Sequence, residues 1–276
     1  MTVRGRRAAG GAAGALGAFL ACCAPPALGQ QAMPLPAGGG DDYEAERPVA
    51  DARESQRSGT FLPWTLGPAV SAQRALGFVT GGYDAAWSRG LFEAGAEAVV
   101  WGALALRAGG SYVEAQDRVR PWFGARAQLL RQGRHGIDGA LAVQYRGGGF
   151  NLVPAVETSV ALGRHGSRGG VFLQATYGAG LQDGERYVDV RVATTRSLGE
   201  NALVGVEARS QVDLEREWPE PAGEPAYDLR VGPFLSYAFG SYVLTGQAGV
   251  GAVKFRASDD SSRTGVLGSV GLGRIF

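Results

Sequence analysis

From Arg74 onward the sequence repeats one pattern twelve times: a run of about ten residues in which apolar side chains alternate with polar or small ones. The runs fall at roughly 74–84, 91–101, 103–114, 119–131, 137–147, 151–162, 170–181, 186–196, 202–214, 227–239, 242–255 and 264–276. Alternation with period 2 sends successive side chains to opposite faces of a β-strand, and about ten residues is what a tilted strand needs to cross a membrane. No segment between the runs carries a helical stripe. Downstream of the N-terminus nothing reaches the roughly 18–20 apolar residues of a transmembrane helix. An open sheet in lipid would leave backbone groups unpaired along its edges, so strands of this kind must close. The pattern therefore predicts an all-β fold, a closed antiparallel transmembrane β-barrel of twelve strands over residues 73–276, with polar faces inward. A soluble β-sandwich also alternates and is the competing architecture.

Register sharpens this expectation. Folding strands two and three about Gly102 pairs Glu97 with Arg107, Gly95 with Gly109 and Glu93 with Ser111. Folding strands eight and nine about Gly199 pairs Arg191 with Glu207 and Asp189 with Arg209, while Val188, Val190, Val192, Val204, Val206 and Val212 take the other face. Folding strands ten and eleven at Gly240-Ser241 pairs Ser236 with Thr245 and Phe234 with Gln247 inside, and Phe239 with Tyr242 outside. Matching charge to charge and polar to polar in three hairpins is a demanding coincidence, because a one-residue slip flips every side chain.

The last thirteen residues, Thr264 to Phe276, read TGVLGSVGLGRIF. Phe276, Leu272 and Val270 lie on one mostly apolar face, and Ile275, Gly273, Gly271 and Ser269 on a mostly small one. A strand that stops on an aromatic resembles the closing strand of bacterial outer-membrane β-barrels, with Arg274 standing where those proteins usually carry an apolar residue. The resemblance implies that Phe276, Leu272 and Val270 form an assembly signal. It implies outer-membrane lipid and the barrel-assembly machinery as partners, and the outer membrane of a Gram-negative bacterium as location.

The N-terminus agrees. Arg4, Arg6 and Arg7 precede an apolar run, Ala8 to Ala24, and Ala27-Leu28-Gly29 supplies small residues for cleavage, so residues 1–29 read as a signal peptide. Lipidation at Cys22, after Phe19-Leu20-Ala21, is the alternative. Residues 30–72 combine prolines, Gly38-Gly39-Gly40 and mixed charge, and read as a largely irregular periplasmic linker. Within it Phe61-Leu62-Pro63-Trp64 reads as a loosely packed lead-in to the first strand, with docking on the rim or plugging of the mouth as the alternative. With both barrel termini periplasmic, the odd-to-even connections face outside and should be the longer ones. Gln132–Gly136 and Gly163–Gly169 are long for periplasmic turns.

Removing the leader leaves 24 basic and 26 acidic side chains, a balance of −2 and no footprint for nucleic acid. It also removes both cysteines, Cys22 and Cys23. The predicted inward charges are Glu93, Glu97, Arg107, Arg120, Arg126, Asp138, Arg146, Glu157, Asp189, Arg191, Glu207, Arg209, Asp213, Asp228 and Arg230, seven basic and eight acidic. They read either as a charged eyelet in a water-filled lumen or as pairs that hold the lumen shut. The inward glycines Gly95, Gly109, Gly178, Gly180, Gly249, Gly251, Gly271 and Gly273 leave room either for solute or for Trp101, Trp122, Phe172 and Phe234 to lie flat.

Enzymatic outer-membrane barrels use histidine, and this chain has only His135 and His165, both read as solvated turn residues. Glu93 and Glu97 lie about 13 Å apart along a strand, too far for a paired-carboxylate site. No phosphate-cradling loop, metal-ligand cluster or dinucleotide fingerprint is present, so neither enzyme activity nor a cofactor is expected. Two adjacent acids, Asp259-Asp260, read as a solvated loop tip, and Trp218 among prolines as a stiff surface loop. The functional expectation is a narrow passive channel for small polar or charged solutes. The alternative is a closed structural or interaction barrel serving an envelope partner.

Overall fold

The computed structural model describes residues 47–63, 75–114, 117–148, 153–182, 185–214, 225–255 and 262–276. The leader, Trp64, Trp218 and the Asp259-Asp260 tip lie outside these residues.

Twelve strands close into one antiparallel barrel. They are β1 (Ala75–Asp84), β2 (Arg89–Trp101), β3 (Leu104–Val113), β4 (Arg118–Leu130), β5 (Asp138–Arg146), β6 (Ala155–Gly166), β7 (Gly169–Gly180), β8 (Arg186–Leu198), β9 (Ala202–Asp213), β10 (Pro225–Phe239), β11 (Tyr242–Phe255) and β12 (Arg263–Ile275). Each pairs with the next. β1 closes on β12 from Leu76↔Ile275 to Asp84↔Leu267, so no strand edge is left for lipid. Both barrel termini share one end, here the proximal end. Connections at the distal end run from four to eleven residues, whereas three of the five proximal ones have two. Gly102 and Gly240 turn two of these at φ 52° and 55°, a region open to glycine at no steric cost.

Burial follows the pleat. Along β10, Asp228, Arg230, Gly232, Phe234, Ser236 and Ala238 are buried, and the residues between them, Leu229 to Tyr237, are exposed. The outer face is an apolar band that includes Val190, Val206, Val231, Leu235, Val250, Val266 and Val270. Its edges carry aromatic pairs. Phe92–Tyr112 (6.5 Å) and Phe123–Tyr145 (5.1 Å) lie distally, and Phe239–Tyr242 (5.6 Å) lies proximally. Arg274 has a role here: its guanidinium lies 5.4 Å from the Tyr242 ring and 4.8 Å from that of Phe276, tying the last aromatic to the girdle. A charge in the middle of the band should be costly. Val231→Arg is expected to destabilise the folded barrel by about 2–4 kcal/mol, read as a lowered urea midpoint in liposomes.

Three expectations about the strands need correction. Between β8 and β9 the register is shifted by two. Arg191 faces Arg209, Asp189 faces Gln211 and Glu207 faces Ala193, because the turn spans Gly199 to Asn201. The long connection expected at Gly163–Gly169 is absent. β6 runs on to Gly166, leaving only Ser167-Arg168, and the Gln132 side chain both donates to the His165 carbonyl and accepts from its amide. Trp101 follows an irregularity after Val99 and is exposed rather than inward. Within residues 30–72, Arg47–Arg57 forms an 11-residue helix, α1. A second, four-residue helix, α2 (Gln132–His135), occupies the connection between β4 and β5.

Candidate functional site

The chain's own N-terminal segment packs inside the barrel near its proximal end. An 11-residue helix is marginal alone, and the barrel wall supplies what α1 lacks. Ala52 packs against the inward residues Ala238, Val243 and Ile275, with Phe61 beside them. Gln56 Nε2 donates to Ser236 Oγ at 2.9 Å. At the rim, Arg53 meets Glu200 at 3.1 Å. After α1 the chain turns at Gly59 (φ 79°), where a Cβ would lie 2.8 Å from the Phe172 ring. Leu62 then joins Phe172, Ala193, Leu203 and Phe234 in a buried cluster. The Phe61 ring sits over Gly273, in the space a Cβ there would claim, and Thr245 Oγ1 donates to the Phe61 carbonyl at 3.4 Å. Phe61 and Leu62 are thus plug residues, not a loose lead-in.

Above the plug lies a band of inward charges. Glu97 sits between Arg126, which it binds closely, and Arg107 at 3.7 Å. Asp189 takes Arg191 at 2.6 Å and Arg209 at 2.9 Å. The shifted register thus keeps the expected Asp189–Arg209 contact, now diagonal, and replaces Glu207 with Asp189 as the partner of Arg191. Glu207 is fully buried on β9. Glu93 faces Arg146 at 3.6 Å. Glu157 accepts from the Gln144 amide and the Tyr187 hydroxyl. Arg120 donates to the Gly147 carbonyl at 2.9 Å. Asp213 lies at the distal end of β9, opposite Tyr187.

Asp138 belongs to the proximal wall rather than to this band. It accepts from Gln128 and from the Gln132 amide, and His165 Nε2 lies 3.3 Å away. His165 is therefore a partly buried residue of β6 and not a solvated turn residue, whereas His135 is exposed on α2.

The distal end holds residues that the pattern did not single out. Asp84 ends β1 and accepts from the amides of Ala86 and Trp87, an Asx turn that folds the first connection inward. Trp87 then reaches across to β10, where its Nε1 donates to Asp228 at 3.0 Å. It also packs on Phe255 and against Ala155 and Tyr187. Arg230 joins Asp228 (2.7 Å) to Asp84 (3.0 Å), and Arg89 stacks 3.9 Å from the Trp87 ring. The available signal was the Asp84-Ala85-Ala86-Trp87 turn itself.

The inward glycines divide between the two readings. A side chain at Gly95 or Gly109 would collide with the Trp122 indole, and one at Gly178 with Tyr187, so these glycines seat aromatics. Gly251 has no heavy atom within 3.4 Å of where its Cβ would be, and Gly271 meets only the Thr80 hydroxyl at 3.0 Å in that range. Two adjoining cavities, of about 240 and 200 Å³, occupy the lumen. Gly271 and Gly273 line the first, Gly82 and Gly268 the second, and Pro63, Thr80, Arg146, Glu157, Arg209 and Ser269 line both. The larger is walled by five arginines (Arg107, Arg126, Arg146, Arg191, Arg209) and three glutamates (Glu93, Glu97, Glu157). The near balance of signs along the strands thus becomes an excess of arginine at this wall.

The sequence matches no family model and none of the curated proteins. Among solved structures, the NanC porin in a rhombohedral crystal form aligns over 72% of this chain and 98% of that one, with 8% identity and a TM-score of 0.53. The KdgM porin aligns over 73% of this chain and 99% of that one, with 11% identity and a TM-score of 0.50. The KdgM porin in complex with disordered oligogalacturonate gives 0.51 at 10% identity over the same shares. The likeness is one of fold, and the fold is that of outer-membrane β-barrels.

Proposed function

We propose that this protein is a narrow passive channel of the Gram-negative outer membrane for small polar or charged solutes, narrowed at its proximal mouth by its own N-terminal segment. The observation that carries this reading is the pair of adjoining, charge-lined cavities inside the barrel. A wall of small residues beside guanidinium groups lets a hydrated solute exchange water for fixed hydrogen bonds, as selectivity filters require. The co-complex of the KdgM porin with an oligogalacturonate is a precedent for an acidic solute in a barrel of this fold. The leader would export the chain, and Phe276, Leu272 and Val270, the latter two on the lipid face, would present it to the assembly machinery. The proximal end would then face the periplasm.

A second reading, a closed structural barrel, is favoured by two contacts: the plug in the proximal half and the Trp87–Asp228 bond across the distal half. Solute entry into liposomes separates the two. Liposomes carrying the refolded chain from residue 30 are expected to swell in small neutral sugars and faster in small anions, and Arg146→Glu should reverse that order. Swelling no faster than in protein-free liposomes would overturn the channel.

A further inference from the structure

We infer that the larger cavity is a binding site for one small, singly charged carboxylate, and that the N-terminal segment is part of that site. This deepens the proposed function and rests on reading the lumen as wet. Thr60, Phe61, Leu62 and Pro63 form part of the cavity wall from the plug side, opposite the charged band. Most acids of that band are covered by their partners. The side chains of Glu97 and Asp189 are 6% and 2% exposed and each is shared by two arginines, whereas Arg107, Arg146, Arg191 and Arg209 keep 14–26% of their surface free. Glu93, 36% exposed, is the acid that still faces the space. Five arginines line the space against Glu93, Glu97 and Glu157, with Asp189 and Glu207 buried in the same band.

Arg107 and Arg146 are the pair with donors to give. Their acidic partners stand at 3.7 and 3.6 Å, beyond good hydrogen-bond length. A carboxylate between them would gain charge-assisted bonds in a space shielded from bulk water, where such bonds are strongest. About 240 Å³ is room for roughly eight waters, the bulk of a small hydroxy acid.

Because the plug completes the wall, anion and plug must hold each other. A ligand that binds the plugged state better than the open one raises the plugged population, and the effect is reciprocal. The test uses the chain from residue 30, which has no native cysteine, with Thr245→Cys placed behind Phe61. Gluconate is compared with sorbitol, its uncharged counterpart, at constant ionic strength. Gluconate is expected to slow modification of the introduced thiol by a polar reagent about fivefold or more, sorbitol to leave it unchanged, and Arg107→Gln with Arg146→Gln to abolish the protection. Equal rates in gluconate and sorbitol would overturn the proposal. Calorimetry on the chain without the cysteine gives a second readout, with gluconate binding at one site and weakened by Phe61→Ala with Leu62→Ala; absence of binding heat at any temperature overturns it equally. Protection without solute flux would leave the site standing and end the channel reading, and flux without protection would do the reverse.

Discussion

Glu97→Ala is expected to destabilise the barrel by about 3–5 kcal/mol, the cost of taking the acid out of a buried ion pair. Arg126 is the reason. Its side chain is 1% exposed and its guanidinium binds Glu97, so removing the carboxylate takes a counter-charge away from a buried cation. Arg107 loses the same partner but keeps 14% exposure and can turn into the lumen. The destabilisation should therefore follow Arg126, and adding Arg126→Met should recover most of it, because an apolar side chain of similar length has no charge to satisfy. Urea titration of the folded barrel reads both variants. A midpoint for Glu97→Ala equal to that of the parent would mean that Arg126 does not depend on Glu97.

The second large effect concerns the plug. Phe61→Ala with Leu62→Ala should loosen residues 52–63 from the wall while leaving the barrel folded. Leu62 is buried with Phe172, Leu203 and Phe234, and Phe61 fills the hollow over Gly273. Truncating such side chains costs about 2–5 kcal/mol each, against a segment held otherwise by a few hydrogen bonds and one exposed ion pair. Modification of a cysteine introduced by Thr245→Cys should accelerate by on the order of a thousandfold, the ratio that about 4 kcal/mol of lost docking corresponds to. Gly273→Leu should act in the same direction from the other side, filling the hollow without touching the plug. Unchanged modification in both variants would show that the segment is not seated there.

The strands and two of the three tested registers were legible because two-residue turns leave no freedom. At Gly102 and at Gly240-Ser241, folding the sequence on itself gives the observed pairs. The turn after Leu198 is longer, and the resulting slip of two residues keeps every side chain on its own face, so alternation could not detect it. What changed was the partner: Asp189, not Glu207, serves Arg191. The plug was illegible for another reason. Ala52, Ser55, Gln56, Ser58 and Gly59 are buried inside the barrel, and such small and polar residues read in sequence as a linker. The latch at Trp87 was missed because it lies between strands, where period-2 reasoning is blind. The strand pattern proposes which charges point inward, but which acids are buried depends on three-dimensional neighbours such as Tyr187 and Gln144 that no strand pattern reveals.

The most direct test of the central claim, a wet lumen narrowed by the chain's own N-terminal segment, is single-channel recording in a planar bilayer, with the parent chain and Gly273→Leu measured side by side. The parent should give small, steady, anion-preferring steps, and Gly273→Leu steps several-fold larger, because the plug no longer has its seat. Silence from both folded proteins would contradict it and leave a closed barrel.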